Sequence, residues 1–424
     1  MILYCLGVLP RAFLRDQPDP ANMTKRHYLL FITSFLVCGI LLAAVLLPPA
    51  VPQAGSDLIV REPAERPEGM VWVPGGIFRM GTETPLLETD PNPDRIKQDE
   101  FPPHDVELDG FWMDETPVTN RQFAKFVEQT GYKTFAEREL TKQDFELRGV
   151  DVSHFKQNVI PPGSMCFNNA FDRSHLAKSI PGWEHQVWKI VDGADWRHPD
   201  GPESTIEDRM DHPVVHVAWE DAEAYLRWAG KRLPTEAEFE YASRSGGKNL
   251  KYPWGDELTP GNRYLANFWQ GEFPTERLNE DGYLTTSPVK AFPPNELGLY
   301  DLAGNVWEWC SDLYAADYYQ HSPRRNPKGP QVSFDPLNPG AVSRVQRGGS
   351  FLCNFNNCTG YRTQARGRGD VASSSYHNGF RGVVDASMLT TFRERQSKIL
   401  AAEQNDSLRQ KTTAAVVAPV IPER

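Results

Sequence analysis

The alternation of apolar and polar positions along the chain predicts short elements separated by many turns. MVWVPGGIFRMGTE (70–83) reads as an apolar strand interrupted by the turn Pro74-Gly75-Gly76. A second apolar stretch, VELDGFWMDETPVT (106–119), leads into a helix. Thr119 is its N-cap, Gln122 completes a capping box, Phe123, Phe126 and Val127 share one face, and Gly131 ends it. WEDAEAYLRWAG (219–230) predicts another helix closing at Gly230. PTEAEFEYASR predicts a third, capped by Thr235 with Glu238 three residues on and Phe239 and Ala242 facing inward. Between 245 and 385 the pattern is short apolar runs among Gly, Pro and Asn, with no internal repeat. In the tail, 386–411 predicts a modest helix with a Glu394–Lys398 pair, and TTAAVVAPVIPER after it reads as disordered. The fold class expected is a mixed α/β body, irregular and loop-rich.

One stretch departs from this pattern. From Tyr28 to Leu47, YLLFITSFLVCGILLAAVLL carries no charge and is long enough to cross a bilayer as a helix. Lys25 and Arg26 precede it, and no Lys or Arg follows until Arg61. That asymmetry predicts an exported, membrane-anchored protein whose body lies on the outer, periplasmic or extracytoplasmic, side. A cleaved signal peptide, the other reading, also exports the body. The organisation expected is an N-terminal segment (1–27), a transmembrane anchor or signal segment (28–47), a Pro-rich linker (48–67), a main domain (68–385) and a tail (386–424).

The chain has 424 residues, 40% of them hydrophobic and 11% aromatic, enough for a sizeable core. Its 35 prolines and 32 glycines agree with a loop-rich body. A net charge of -11 argues against nucleic acid as a partner. No P-loop and no strand-anchored GxGxxG supports nucleotide chemistry. Six cysteines do not make a disulfide scaffold. Cys5 and Cys38 lie in the N-terminal segment, while Cys166 and Cys310 stand alone and read as buried thiols. His104, His212 and His216 read as satisfied structural histidines.

Cys353 and Cys358, in RGGSFLCNFNNCTGYR (347–362), are the exception. A pair this close could form a short disulfide, hold a metal, or be two unrelated buried thiols. A closed zinc site needs four ligands, and no CxxC or HxxxH accompanies the pair. Two thiolates without a hard ligand suit a soft monovalent ion such as Cu(I).

Several stretches then point to one family. WVPGGIFRMG, PVTNRQFAKFVEQTGY, GADWRHPDGP, HPVVHVAWEDAEAY, KRLPTEAEFEYASRSG, YPWGDE, ANFWQGEFP, PPNELGLYDLAGNVWEWCSD, RGGSFLC and HNGFRG occur in order over roughly 68–385. The chain resembles the formylglycine-generating enzymes, the sulfatase-modifying factor family. The resemblance implies that family's fold, related to C-type lectin-like folds, and an oxidase. Its implied substrates are unfolded sulfatase polypeptides carrying CxPxR, whose cysteine becomes Cα-formylglycine at the expense of O2.

By the same resemblance Cys353 and Cys358 hold Cu(I), Cys353 is also placed to exchange with the substrate sulfur, and Ser350 lies near the reaction centre. Two Ca2+ sites are implied. Asn267 and Asp281 with the carbonyls of Phe268 and Tyr283 make one. Asp301 and Glu308 with the carbonyls of Gly304 and Val306 make the other. Calcium accepts such mixtures of oxygen donors. A non-catalytic member that binds a protein or sugar is the alternative; it would be expected to lose at least one of the two cysteines. Two departures stand out: Asn354-Phe355-Asn356-Asn357 lies where relatives carry a basic or His-containing stretch, and His377-Asn378 where they carry Asn-Leu or His-Leu.

Overall fold

A computed structural model of the chain describes residues 58, 61–63, 66–83, 99–153, 155–180 and 182–417. Pro74 and Gly75 do interrupt the first apolar stretch, giving β1 (Met70–Val73) and β2 (Gly76–Met80). The two strands do not pair with each other. β2 pairs with β3 (His104–Leu108) and β1 with β4 (Phe111–Asp114), both antiparallel. Helix α1 (Asn120–Thr130) has the predicted capping box at Thr119 and Gln122, and Gly131 closes it at φ 64°, where a side chain is disfavoured. Then follow β5 (Leu140–Thr141), α2 (Lys142–Glu146), β6 (Val159–Ile160) and the antiparallel pair β7 (Gly163–Phe167) and β8 (Trp188–Asp192).

Helices α3 (Trp219–Ala229) and α4 (Glu236–Ser243) lie where the pattern places them. In α4, however, every residue is buried rather than one face, including Glu236, Glu238 and Glu240. Those carboxylates are tolerated because Arg347, Arg366, Arg232 and Arg244 pair with them.

The chain then builds β9 (Trp307–Leu313), β10 (Ser343–Arg347), β11 (Gly367–Asp370) and β12 (Asn378–Gly379) into a sheet of order β11-β10-β9-β12, with β12 parallel to β9. β13 (Val383–Asp385) joins β4 to complete a sheet of order β1-β4-β13. One apolar core packs β1–β4 against α4 through Phe78, Phe111, Phe239 and Tyr319; another gathers Phe123, Phe126, Trp196, Tyr225 and Phe380 about α1 and α3. The tail helix α5 runs from Leu389 to Val417, beyond the predicted end and into the stretch read as disordered. Phe392 seats it on Met70, Trp72, Trp112 and Val384.

The predicted span 28–47 lies outside the described residues. Among the described residues no helix is long and apolar enough to cross a membrane. Even the longest, α5, carries Arg393, Glu394, Arg395, Lys398 and Glu403 within its first half. The expectation of a membrane-anchored body on the outer side is therefore corrected and is not carried further.

Candidate functional site

The sulfur pair sits in the turn that leaves β10. Arg347, the last residue of that strand, is buried and fixes the turn. Its guanidinium donates to Glu236 Oε1 at 3.0 Å, to Glu240 Oε2 at 2.7 Å and to the Thr363 carbonyl at 2.6 Å. Burial opposes its charge, but Glu240 and Glu236 more than offset this and hold it protonated. Gly348 and Gly349 follow at φ 88° and 73°. A Cβ on Gly349 would lie 2.7 Å from the backbone of Gly360 and Tyr361, so only glycine lets these two segments meet.

Ser350 is fully buried. Its N–H donates to Cys353 Sγ at 3.4 Å, and its carbonyl accepts the Cys353 N–H at 2.9 Å. Asn354 pins the next turn: its amide donates to the carbonyls of Trp269 and Gly271, and its carbonyl accepts the Cys358 N–H at 2.7 Å. These bonds bring Cys353 and Cys358 together as a disulfide with Cα atoms 4.8 Å apart. Of the alternatives the sequence left open, this is the short disulfide. Cys353 is only 2% exposed, in a cluster with Tyr252, Phe268, Trp307 and Tyr361, whereas Cys358 is half-buried at the edge of that cluster. Cys358 is therefore the more exposed of the two sulfurs.

Once reduced, the two sulfurs form a soft donor pair. Among the described residues no group of three or more His, Cys, Asp or Glu gathers to hold a metal. The donor set thus fits a thiophilic monovalent ion such as Cu(I) rather than a closed zinc site.

Two site residues escaped the sequence reading. Trp307 is nearly buried in the cluster that holds Cys353, and its ring leaves no room for a side chain on Gly360 or Gly367. His377 places Nδ1 3.3 Å from Ser350 Oγ. The backbone explains the meeting: β12 pairs with β9 at Asn378 and Trp307, and Trp307 N–H donates to the His377 carbonyl at 2.8 Å. The available signal was that HNGFRG follows the RGGSFLC stretch in the family order. Burial pushes the His377 pKa down to about 3, so its ring is neutral.

The first oxygen-donor set lies in a loop tied by its own hydrogen bonds. Asp281 accepts N–H bonds from Phe268 at 3.1 Å and Tyr283 at 2.9 Å, and Gln270 donates to the Phe268 carbonyl. Asn267 donates to the Thr285 carbonyl, which leaves its Oδ1 buried without a partner. Burial raises the Asp281 pKa, and a buried acceptor without a partner, such as Asn267 Oδ1, is the kind of oxygen a cation could take. In the second set both carboxylates have partners. Asp301 accepts from Lys290 N–H and Asn305, and both oxygens of Glu308 accept from Arg381 at 2.7 Å. Gly304 approaches the Asn267 backbone there.

The remaining candidates hold structural roles. His216 bonds Ser164 Oγ and the Pro199 carbonyl, His212 bonds Thr286, and Cys166 and Cys310 are buried free thiols.

A sequence model described as Sulfatase-modifying factor enzyme 1-like domain matches residues 55–386. A formylglycine-generating enzyme from Thermomonospora curvata is 44% identical over 339 residues, 79% of this chain and 99% of its own. One from Bos taurus is 42% identical over 320 residues, 75% of each chain. A Bos taurus protein named inactive C-alpha-formylglycine-generating enzyme 2 is 40% identical over 249 residues, 58% of this chain and 71% of its own. The solved structure of PvdO from Pseudomonas aeruginosa overlaps at a TM-score of 0.46 and 22% identity, covering 74% of this chain and 93% of that one. With the family model spanning most of its length and two formylglycine-generating enzymes above two-fifths identity, the chain belongs to the formylglycine-generating enzyme, or sulfatase-modifying factor, family.

Proposed function

We propose that this protein is a formylglycine-generating oxidase that converts the cysteine of sulfatase CxPxR segments to Cα-formylglycine and so activates sulfatases. The observation that carries the reading is the apposition of Cys353 and Cys358 beside the buried Ser350. Similarity along the chain is not enough, because a relative named as inactive is 40% identical. The two sulfurs are the residues on which activity turns.

The pair as it stands is a disulfide, so a thiol must open it before either sulfur can bind a metal. Held by both thiolates, Cu(I) would supply the one-electron chemistry that lets O2 accept electrons from a substrate thiol and its Cβ–H bond. Cysteine to aldehyde and sulfide releases two electrons, whereas O2 takes up four on reaching water. A thiol reductant must therefore supply the other two. Cys358, the more exposed sulfur, meets the incoming segment, while Trp307 and Tyr361 wall Cys353 from water.

We further propose Ca2+ at both oxygen-donor sets, as a brace for the loops and not as a reactant. The orphaned Asn267 Oδ1 favours the first set. A cation at the second shares Glu308 with Arg381, which makes the first set the tighter.

The test supplies the reduced protein with copper, O2, a thiol reductant and a CxPxR peptide, and follows the aldehyde by mass spectrometry. Aldehyde is expected, with none from Cys358→Ser. Turnover that persists in that variant would overturn the copper assignment. A wild-type protein that makes no aldehyde but binds a protein or sugar would favour the non-catalytic alternative.

A further inference from the structure

Ser350 lies three residues before Cys353, and its N–H donates to that sulfur, so what its side chain can do there depends on where its single proton points. Leu352 N–H donates to Ser350 Oγ at 3.3 Å, so one lone pair of the hydroxyl is taken. The residue is fully buried, and its own proton needs an acceptor. The group in reach is His377 Nδ1, 3.3 Å away. That ring is itself fixed. Its backbone is tied to Trp307, and the Trp188 ring meets it edge-on with centroids 5.0 Å apart. A neutral imidazole carries one N–H and one lone pair, so accepting at Nδ1 puts its hydrogen on Nε2.

We propose that His377 is a positioning residue: by accepting the Ser350 proton at Nδ1 it turns the hydroxyl so that only an oxygen lone pair remains for groups at the sulfur pair. Ser350 then acts there as an acceptor, suited to an incoming S–H, and not as a donor to a thiolate or to oxygen. His377 touches none of the reacting atoms. Its influence passes through one hydroxyl, and this sets it apart from a residue that merely fills space. The kinetic part of the inference rests on the oxidase reading; the hydrogen-bond part does not.

Two measurements test it. The first uses metal-free reduced protein labelled with 15N-histidine, with the His377 resonances assigned by their loss in His377→Asn. Long-range 15N–1H correlation should show the tautomer with hydrogen on Nε2, and Ser350→Ala should move the Nδ1 resonance. Hydrogen on Nδ1, or no response to Ser350→Ala, overturns the proposal whether or not the protein is an oxidase. The second is a kinetic cycle on the aldehyde reaction. His377→Leu should lower kcat roughly tenfold, the loss of about one hydrogen bond, while leaving the peptide KM within about twofold. His377→Asn, whose amide oxygen can also accept, should recover most of it. Adding His377→Leu to Ser350→Ala should cost nothing further, since the hydroxyl is already gone. Losses that add in the double variant overturn the proposal and assign His377 a structural role. If the wild-type protein forms no aldehyde but the tautomer is as stated, the oxidase reading fails and the hydrogen-bond assignment stands.

Discussion

Arg347 couples the turn that bears the sulfurs to helix α4. Its guanidinium fills a space between Glu236, Glu240 and the Thr363 carbonyl, all inaccessible to water. Replacing it by Met leaves two buried carboxylates with less compensation, although Arg366 still pairs with Glu236 and Arg244 with Glu240. Arg347→Met should therefore cost about 3–5 kcal/mol of stability in urea unfolding. Adding Glu240→Gln should recover part of that loss by removing one stranded charge. A variant as stable as wild type would mean that packing of the Arg347 stem, not its charge, holds the turn. This clamp was not legible in the sequence. Cys353, Cys358 and Ser350 occupy one contiguous motif, but the partners of Arg347 lie 111 and 107 residues away along the chain. Nothing local distinguishes such an arginine from one on the surface. His377 and Trp307 were missed for the same reason, since a parallel pairing of two short strands brings them to the site.

At the scale of elements, what could be read was what is decided locally. Thr119 with Gln122 and Thr235 with Glu238 form capping boxes within four residues, and Gly131 and Gly230 close their helices in the left-handed conformation. The β7–β8 pair was not foreseen, because its strands are joined through 20 residues without a short turn signal. Nor was the full burial of α4, which depends on arginines from other elements. The loop from Asn267 to Tyr283 also lacks regular structure, and its order rests on Asp281 gathering the Phe268 and Tyr283 N–H groups. Calcium bound there would neutralise a carboxylate that burial disfavours and satisfy Asn267 Oδ1. A chelator should then lower the melting temperature of the wild-type protein, and readded Ca2+ should restore it. Asn267→Ala should melt lower from the outset and respond less to the chelator. A melting curve indifferent to chelation would remove calcium from this loop.

For the molecule as a whole, buried titratable groups of opposite habit set how stability varies with pH. Burial pushes the Asp312 and Asp221 pKa values up from 3.8 to about 7. Each keeps its proton in the folded state over a range where the unfolded chain has lost it. Their contribution is complete below the unfolded value and is lost as pH rises toward about 7. His216 and His377 behave in the opposite sense, with pKa values pushed down from 6.5 to about 4 and about 3. Held neutral in the fold, they contribute fully above the unfolded value, and that contribution is lost as pH falls through those folded values. Over the shared interval the two sets work against each other, which flattens the wild-type profile. Asp312→Asn should unbalance it. The amide oxygen can still accept the Glu236 N–H that Asp312 accepts at 3.0 Å, so the fold should survive. With this carboxyl gone, the stability of the variant relative to wild type should climb as pH rises from about 4 to about 7 and level off above that. Chemical unfolding of both proteins across that interval gives the difference directly. A difference independent of pH would mean that Asp312 ionises alike in the folded and unfolded chains, and that burial beneath Glu236 is relieved by some other partner.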